Sequence, residues 1–532
     1  MATELVLVYT LALGAVLVGA LRYLLARKRG LPLPPGPKPL PIVGNVKDLP
    51  PPGALEWEHW LKHKDLYGPI SSVTVMGTTM IILNSAQAAI DLLDKRSAIY
   101  SSRPRMVFVG EMCGWNHFTL PQTYNETLRV YRKQMHSVLG TKAALSRFYP
   151  LQEVETHRFL FHVLQKPQDL ISHIRAEAGA IILKIAYGYK VDQHNQDPFV
   201  TLADNALEQF SLASVPGAWL VDTVPALKYL PEWLPGMGFK KTAREWNKTA
   251  QAVAEKPMEF VRKQVARGDY EPSYVSPLYE KNPNGPVDPH DEYVVKWSAA
   301  ALYTGGADTS VSAMSTFFLA MMSHPEVQRR AQEEIDRVVG PDRLPAFSDR
   351  ENLPYVEAVV KEAFRFHPIA PMGVPHVTTV DDEYNGYRIP KGALVIQNIW
   401  WFTHDPSLYP EPSRFEPSRH LGPSACRSPY DYVFGFGRRI CPGRLLADSS
   451  VWLTIARSLA VFDIKPEKTP ETPDKPETEM RFCAGLISHP APFRAAVRPR
   501  SARHERLVRE VETLHPWEES SAEELRSLGV GV

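Results

Sequence analysis

Cysteine is scarce in this chain: there are four among 532 residues, Cys113, Cys426, Cys441 and Cys483. They form no CxxC pair and no regular spacing, which argues against a disulfide framework or a zinc ribbon and fits a reducing compartment. An excess of charge of one sign is also missing. Lysine and arginine number 60 against 59 acidic residues, so no global field recommends nucleic acid as a partner. Repeats and low-complexity tracts are lacking too, because the 48 prolines gather at turns and segment ends. What remains has ordinary globular composition, 44% hydrophobic, and is long enough for one large core or two smaller ones.

The N-terminus departs from a soluble pattern. Leu5–Ala26, LVLVYTLALGAVLVGALRYLLA, has Arg22 as its only charge, and as a helix it would be about 33 Å long, enough to cross a hydrocarbon core. Arg27, Lys28 and Arg29 follow directly. Positive charge after the run predicts a single transmembrane helix within residues 1–29 and a cytosolic body. The alternative, a cleaved signal peptide, would carry that charge before the run. Residues 30–50, with LPLPPGPKPLPIVGN, read as a proline-rich hinge with a stiff, extended path.

Residues 51–499 form the body. Ile70–Ser85 reads as two strands turning at Gly77, strand character returns over Tyr384–Ile399, and most long segments between show helical spacing. The expected fold is mainly α with small β-sheets. Val221–Phe239 is apolar and aromatic but interrupted by Pro225, Pro231 and Pro235, so it cannot be one helix. It lies either on a bilayer surface or in a buried loop. Residues 500–532 read as a charged C-terminal tail.

The stretch YVFGFGRRICPGRLLA, Tyr432–Ala447, sets Cys441 among three glycines and just before the helical pattern RLLADSSVWLTIARSLA. Glycines let backbone approach a ligand closely, and amide donors at a helix start favour thiolate. A single thiolate with no matching cysteine or histidine suits a metal whose other ligands come from a porphyrin. The pattern Phe434-x-x-Gly437-x-Arg439-x-Cys441-x-Gly443 resembles the haem-binding loop of the cytochrome P-450 family of haem-thiolate monooxygenases.

Further segments resemble the family in the right order. KEAFRFHP carries Glu362 and Arg365 at i, i+3, and RFEPSRH carries Arg419; the resemblance makes these three a buried ion cluster behind the haem. AALYTGGADTSVSAMS places Ala301, Gly305 and Thr309 on one helical face, with Gly305-Gly306 costing roughly 1 kcal/mol each relative to alanine. Either tight helix packing or a functional distortion accounts for the glycines. Asp308-Thr309 resembles the acid-alcohol pair of the family's central helix.

The resemblance spans roughly Leu33 to Phe493 and implies the cytochrome P-450 fold with haem b, its iron bound by Cys441 as the one protein metal ligand. It implies that Arg132, His376 and Arg439 hold the propionates, while Leu128 stands where the family commonly has tryptophan. Thr309 and Asp308 become the catalytic pair for oxygen and protons. The implied activity inserts one atom of O2 into a hydrophobic small molecule, with NADPH electrons arriving from a separate NADPH-cytochrome P-450 reductase and cytochrome b5 as a second donor.

Arg438 and Arg444 would face that partner. Substrate contacts would come from Arg103–Gln122, Ala301–Thr309, Ile369–Pro375 and Gly485–Pro490. The anchor implies the endoplasmic reticulum membrane. YLPEWLPG and LISHPAPF resemble fungal members of the O-methylsterigmatocystin oxidoreductase type, implying secondary metabolism. Two other readings stand beside this one: a reductase-independent haem-thiolate isomerase or dehydratase, which needs no acid-alcohol pair, and a non-catalytic haem-binding membrane protein.

Overall fold

The structure, a computed structural model, describes residues 14, 30–51, 53–215, 217–283, 285–467, 480–527 and 529–530. Among them no helix is long and apolar enough to cross a membrane. The anchor expected over Leu5–Ala26 lies, apart from Gly14, outside the described residues.

Seven helices frame the site: α1 (Glu126–Leu139), α2 (Leu170–Tyr187), α3 (Pro198–Ala213), α4 (Phe239–Arg267), α5 (Pro289–Ser323), α6 (Pro354–Phe366) and α7 (Arg444–Val461). Helix α5 starts at Asp288, whose carboxylate accepts from the His290 and Asp291 N–H groups, a conventional N-cap. It is apolar almost all round because it runs through the middle of the molecule, touching α1, α2, α3, α6 and α7. Its N-terminal part, including Trp297, Tyr303 and Ala307, belongs to one hydrophobic core with α1–α4. Its C-terminal part, from Val311 through Phe317 to Met321, belongs to a second core with α6 and α7. Asp308 and Thr309 fall at the junction between them.

The sheets are small. Strands β1 (Ile70–Val75) and β2 (Thr78–Leu83) form an antiparallel hairpin, with Ile70 opposite Leu83. Its two-residue turn, Met76-Gly77, has positive φ at both positions, as expected at Gly77. Strand β3 (His376–Val377) precedes the hairpin β4 (Asp382–Tyr384) and β5 (Tyr387–Ile389), and β6 (Leu394–Gln397) then pairs parallel to β2 and antiparallel to β3. Strands β7 (Phe462–Pro466) and β8 (Ala495–Pro499) pair near the end of the body.

Both ends of the described chain are docked. The proline-rich stretch lies along β1: the Ser72 hydroxyl donates to the Pro34 carbonyl (2.6 Å) and the Ser72 N–H to the Pro35 carbonyl (2.9 Å). The charged tail forms short helices whose Leu507, Val508, Val511 and Leu525 are buried, while Trp517 packs on Phe161 and His162. Charge dominates its composition, yet its apolar residues recur on one side, and that side is covered.

Val221–Phe239 is broken, as its prolines require. It holds short turns at Leu220–Thr223 and Pro225–Tyr229 before α4 begins. Val221 is buried, and the Asp222 carboxylate accepts from the Val107 and Phe108 N–H groups at 2.7 and 2.9 Å. In contrast, Tyr229 and Trp233 are 78% and 79% exposed, with Leu220, Val224 and Leu230 open beside them. Most of this connection therefore faces outward, and the buried-loop alternative holds only for its anchoring points.

Candidate active site

A cavity of about 370 Å³ opens between α5 and the start of α7. Cys441, Arg132, His376, Phe434, Arg439, Gly443 and Thr309 all line it. All four expected substrate segments reach it as well: Trp115, Phe118 and Leu120 from the first, Ala301 and Gly305 from α5, Ile369 and Val374 from the third, and Leu486 and Ile487 from the fourth. Leu207 and Phe210 of α3 complete the wall, which sequence spacing did not indicate. The aromatic side is itself packed, with the Trp115 ring 4.4 Å from both Phe118 and Phe210.

The cysteine loop closes when the Cys441 N–H donates to the Phe434 carbonyl at 2.8 Å. Gly437 has φ +51°, and an added Cβ would lie 2.5 Å from the Leu93 carbonyl oxygen, so only glycine fits. It does not line the cavity; it lets the loop turn against Leu93 and Ser97. Gly443 caps α7 with φ −89°, and a Cβ there would meet nothing within 4 Å. Burial pushes the Cys441 thiol up, while the Gly443 N–H and the Arg132 and Arg444 charges favour thiolate.

The cations at this cavity have a feature in common. Arg439 is buried and donates to the carbonyls of Ser101 (2.6 Å), Thr119 (3.1 Å) and Gln122 (2.5 Å). Arg132 donates to the Ile440 carbonyl (2.7 Å). Arg103 donates to the carbonyls of Leu120 (3.3 Å), Val374 (2.8 Å) and Pro375 (2.9 Å). Among the described residues none of the three has a carboxylate partner.

Burial and the Arg132 charge bring Arg439 down to about 10, and burial and its two neighbours hold Arg103 well below its ordinary value. Two buried cations, Arg103 and Arg439, with a half-buried third, Arg132, are costly together unless an anion joins them. A group bearing two carboxylates fits, as haem does with its propionates. His376 is buried too, and its Nδ1–H donates to the Tyr100 carbonyl (2.7 Å), so Nε2 is bare in the neutral ring. Burial and the Arg103 charge favour that neutral form. Leu128 is buried on α1 and does not line the cavity.

On α5, Ala301, Gly305 and Thr309 do share the cavity face. Thr309 donates its hydroxyl hydrogen to the Gly305 carbonyl (2.8 Å), leaving the oxygen as the group presented to the cavity. Asp308 does not line the cavity. One residue on a helix turns about 100°, and its carboxylate instead meets His489 Nε2 (3.1 Å) and Arg175 Nη1 (3.7 Å). Burial alone would raise the Asp308 carboxyl, but the His489 hydrogen bond and the Arg175 charge outweigh it and hold the group low.

Glu362, Arg365 and Arg419 come together. Arg365 grips both Glu362 oxygens (2.8 and 2.9 Å), and Arg419 Nε adds a third bond (3.1 Å). His420 Nε2 donates a fourth at 2.8 Å, a member that helical spacing could not reveal. Burial works against the charge, yet the Arg365 charge and the His420 N–H hold the Glu362 carboxyl at about 2. Arg438 and Arg444 are exposed on the outer side of the cysteine loop, where Arg444 and Asp94 border a surface hollow.

A mainly helical frame, a cysteine at a helix start facing an apolar cavity, and a cluster of cations beside it that suits a dianion define a haem-thiolate architecture. A sequence model of the cytochrome P450 family matches residues 34–496, and the chain belongs to that family. It is 48% identical over 517 residues to the cytochrome P450 monooxygenase claR of Ampulloclitocybe clavipes, covering 97% of this chain and 95% of the relative. Identity is 44% over 487 residues to the multifunctional cytochrome P450 monooxygenase af510 of Aspergillus fumigatus, 90% of each chain. To O-methylsterigmatocystin oxidoreductase of Aspergillus flavus it is 42% over 497 residues, 93% of each. The protein is a cytochrome P450 monooxygenase whose cofactor is haem bound through a cysteine thiolate.

Proposed function

We propose that this chain oxygenates a neutral, hydrophobic small molecule of fungal secondary metabolism, using NADPH electrons from a separate NADPH-cytochrome P-450 reductase, with cytochrome b5 as a second donor. The observation that carries this reading is that Cys441 and Thr309 line one apolar cavity from different elements. The fungal origin of the relatives and the oxidoreductase named among them support the metabolic setting.

Cys441 is the iron ligand in this reading, and Arg103, Arg132 and Arg439 clamp the propionates. His376, neutral on its own, would join them only where the propionate charge draws a proton onto Nε2, since that nitrogen must carry a hydrogen to donate to a carboxylate. Haem held there would supply the activation of O2, one atom going into the substrate and the other, with two electrons and two protons, to water. Leu128 has no donor to offer, and Arg103 adds one to the cavity wall. The aromatic and aliphatic walls exclude water and orient an apolar substrate. Thr309 presents its oxygen to the cavity, and Asp308 behind it, with water, passes protons on through a relay to bulk solvent. The cavity-facing Thr309 favours this over an isomerase, which needs no such group.

Residues 1–29 are read as the membrane anchor, 30–50 as the hinge, 51–499 as the catalytic domain and 500–532 as the charged tail. The body then lies on the cytosolic side of the endoplasmic reticulum, with Tyr229 and Trp233 against lipid. The arginines at positions 438 and 444 offer the reductase a cationic face. The test is the reduced carbon monoxide difference spectrum of wild type beside Cys441→Ser. A strongly red-shifted Soret band in wild type alone is expected. Haem-loaded wild type without that band would overturn the assignment of Cys441.

A further inference from the structure

The Gly485–Pro490 loop touches α5 at two points one turn apart. Ser312 Oγ donates to the Ser488 carbonyl (2.6 Å), and four residues earlier Asp308 Oδ2 meets His489 Nε2 (3.1 Å). Asp308 and Ser312 share one face of the helix, and Ser488 and His489 are consecutive, so the two contacts hold the loop in a single register. Ser488 is fully buried and fixed three further ways. Its N–H donates to the Ile369 carbonyl (2.8 Å), its hydroxyl donates to the Cys483 carbonyl (2.7 Å), and the same hydroxyl accepts from His367 Nε2 (2.7 Å). The position of the His489 imidazole is therefore built, not incidental.

A carboxylate only accepts, so His489 Nε2 carries a hydrogen in this contact. Arg175 is the weaker partner of Asp308, since its Nη1 is 3.7 Å from Asp308 but 2.7 Å from Asp204. Neither Asp308 nor His489 lines the cavity, whereas Thr309, next to Asp308, and Ile487, two residues before His489, do. The pair thus stands directly behind the wall on both elements, and both side chains keep partial exposure, 14% and 29%.

We propose that His489 is a positioning residue for the proton-relaying carboxylate: its Nε2–H holds the Asp308 side chain fixed behind Thr309. This rests on the monooxygenase reading of Asp308 and Thr309 given above. Because Leu486 and Ile487 of the same loop touch the cavity, the loop links the substrate wall to the acid. Replacing the imidazole frees the carboxylate to turn, and reducing equivalents then escape as hydrogen peroxide.

The test uses full-length, haem-loaded protein with reductase and 7-ethoxycoumarin as a neutral apolar probe. His489→Phe keeps an aromatic ring without a donor, and His489→Gln keeps an amide N–H. The first readout is hydrogen peroxide released per NADPH consumed: at least a threefold rise is expected in His489→Phe, with His489→Gln returning to within about 1.5-fold of wild type. The second needs no turnover. It is a thermal cycle of wild type, His489→Phe, Asp308→Asn and the double variant, in which His489→Phe is expected to lower Tm by several degrees beside Asp308 and by less than half as much beside Asn.

Additive Tm changes, or a His489→Phe protein as well coupled as wild type, would overturn the proposal. If wild type consumes no NADPH with reductase, it is the monooxygenase reading of the site that fails, and the thermal cycle alone judges the pair.

Discussion

Gly306 of α5 lies against Ile182 of α2 so closely that an added Cβ would stand 2.8 Å from Ile182 Cγ1 and 3.1 Å from its Cβ. A Cβ on the adjacent Gly305 would meet nothing within 4 Å. The two glycines, indistinguishable in sequence, do different things: one lets helices approach, the other widens the cavity beside Thr309. Gly306→Ala is expected to destabilise by about 1–3 kcal/mol through overpacking. Gly305→Ala gains about 1 kcal/mol of helix propensity, so Tm holds or rises while turnover falls. Paired melts and turnover rates check both.

Arg103 is expected to affect stability in opposite directions with and without haem. Burial and the neighbouring Arg439 and Arg132 charges work against its own charge; under the proposed function a haem propionate would offset them. Arg103→Gln is therefore expected to raise the Tm of haem-free chain by a few degrees. It should also speed haem transfer to a haem scavenger about tenfold, equivalent to about 1.4 kcal/mol. A variant less stable in both states would show that Arg103 serves packing and not the cofactor.

The Glu362 cluster should appear in acid unfolding. Its folded carboxyl sits at about 2, below an unfolded value of about 4.3. Its contribution is fully present above about pH 5 and is lost as pH falls toward about 2, amounting to ~3 kcal/mol. Glu362→Gln leaves Arg365 buried without its counter-charge and is expected to cost about 3–5 kcal/mol at neutral pH. The slope of stability against pH below about pH 5 should flatten in that variant, as denaturant titrations across the range would show.

Tyr229 and Trp233 form the tip of an exposed apolar connection. In a chain lacking residues 1–29, Tyr229→Glu with Trp233→Glu is expected to shift most of the protein from liposomes to the supernatant in a flotation assay. The carbon monoxide band should be unchanged, because neither side chain lines the cavity. Equal retention of both proteins on liposomes would place the membrane-facing surface elsewhere.

Local spacing made part of this protein legible from its residues alone. Ala301, Gly305 and Thr309 share a face because helical periodicity puts them there, and Glu362 meets Arg365 because i and i+3 adjoin on any helix. Cys441 before α7, and the hairpin at Gly77, likewise follow from neighbours in the chain. The remaining contacts join residues far apart, which no periodicity specifies. Arg103 reaches Val374 across 271 positions, His489 reaches Asp308 across 181, and His420 reaches Glu362 across 58.

Only the packed chain decided that Asp308 turns from the cavity while Thr309 faces it, and that Gly306 differs from its twin. The same holds for the proline-rich stretch and the charged tail, which composition alone would leave loose in solvent. Sequence spacing sets which side chains share an element's face. What that face meets depends on how the helices and loops close over one another, and that is settled by the two cores joined along α5.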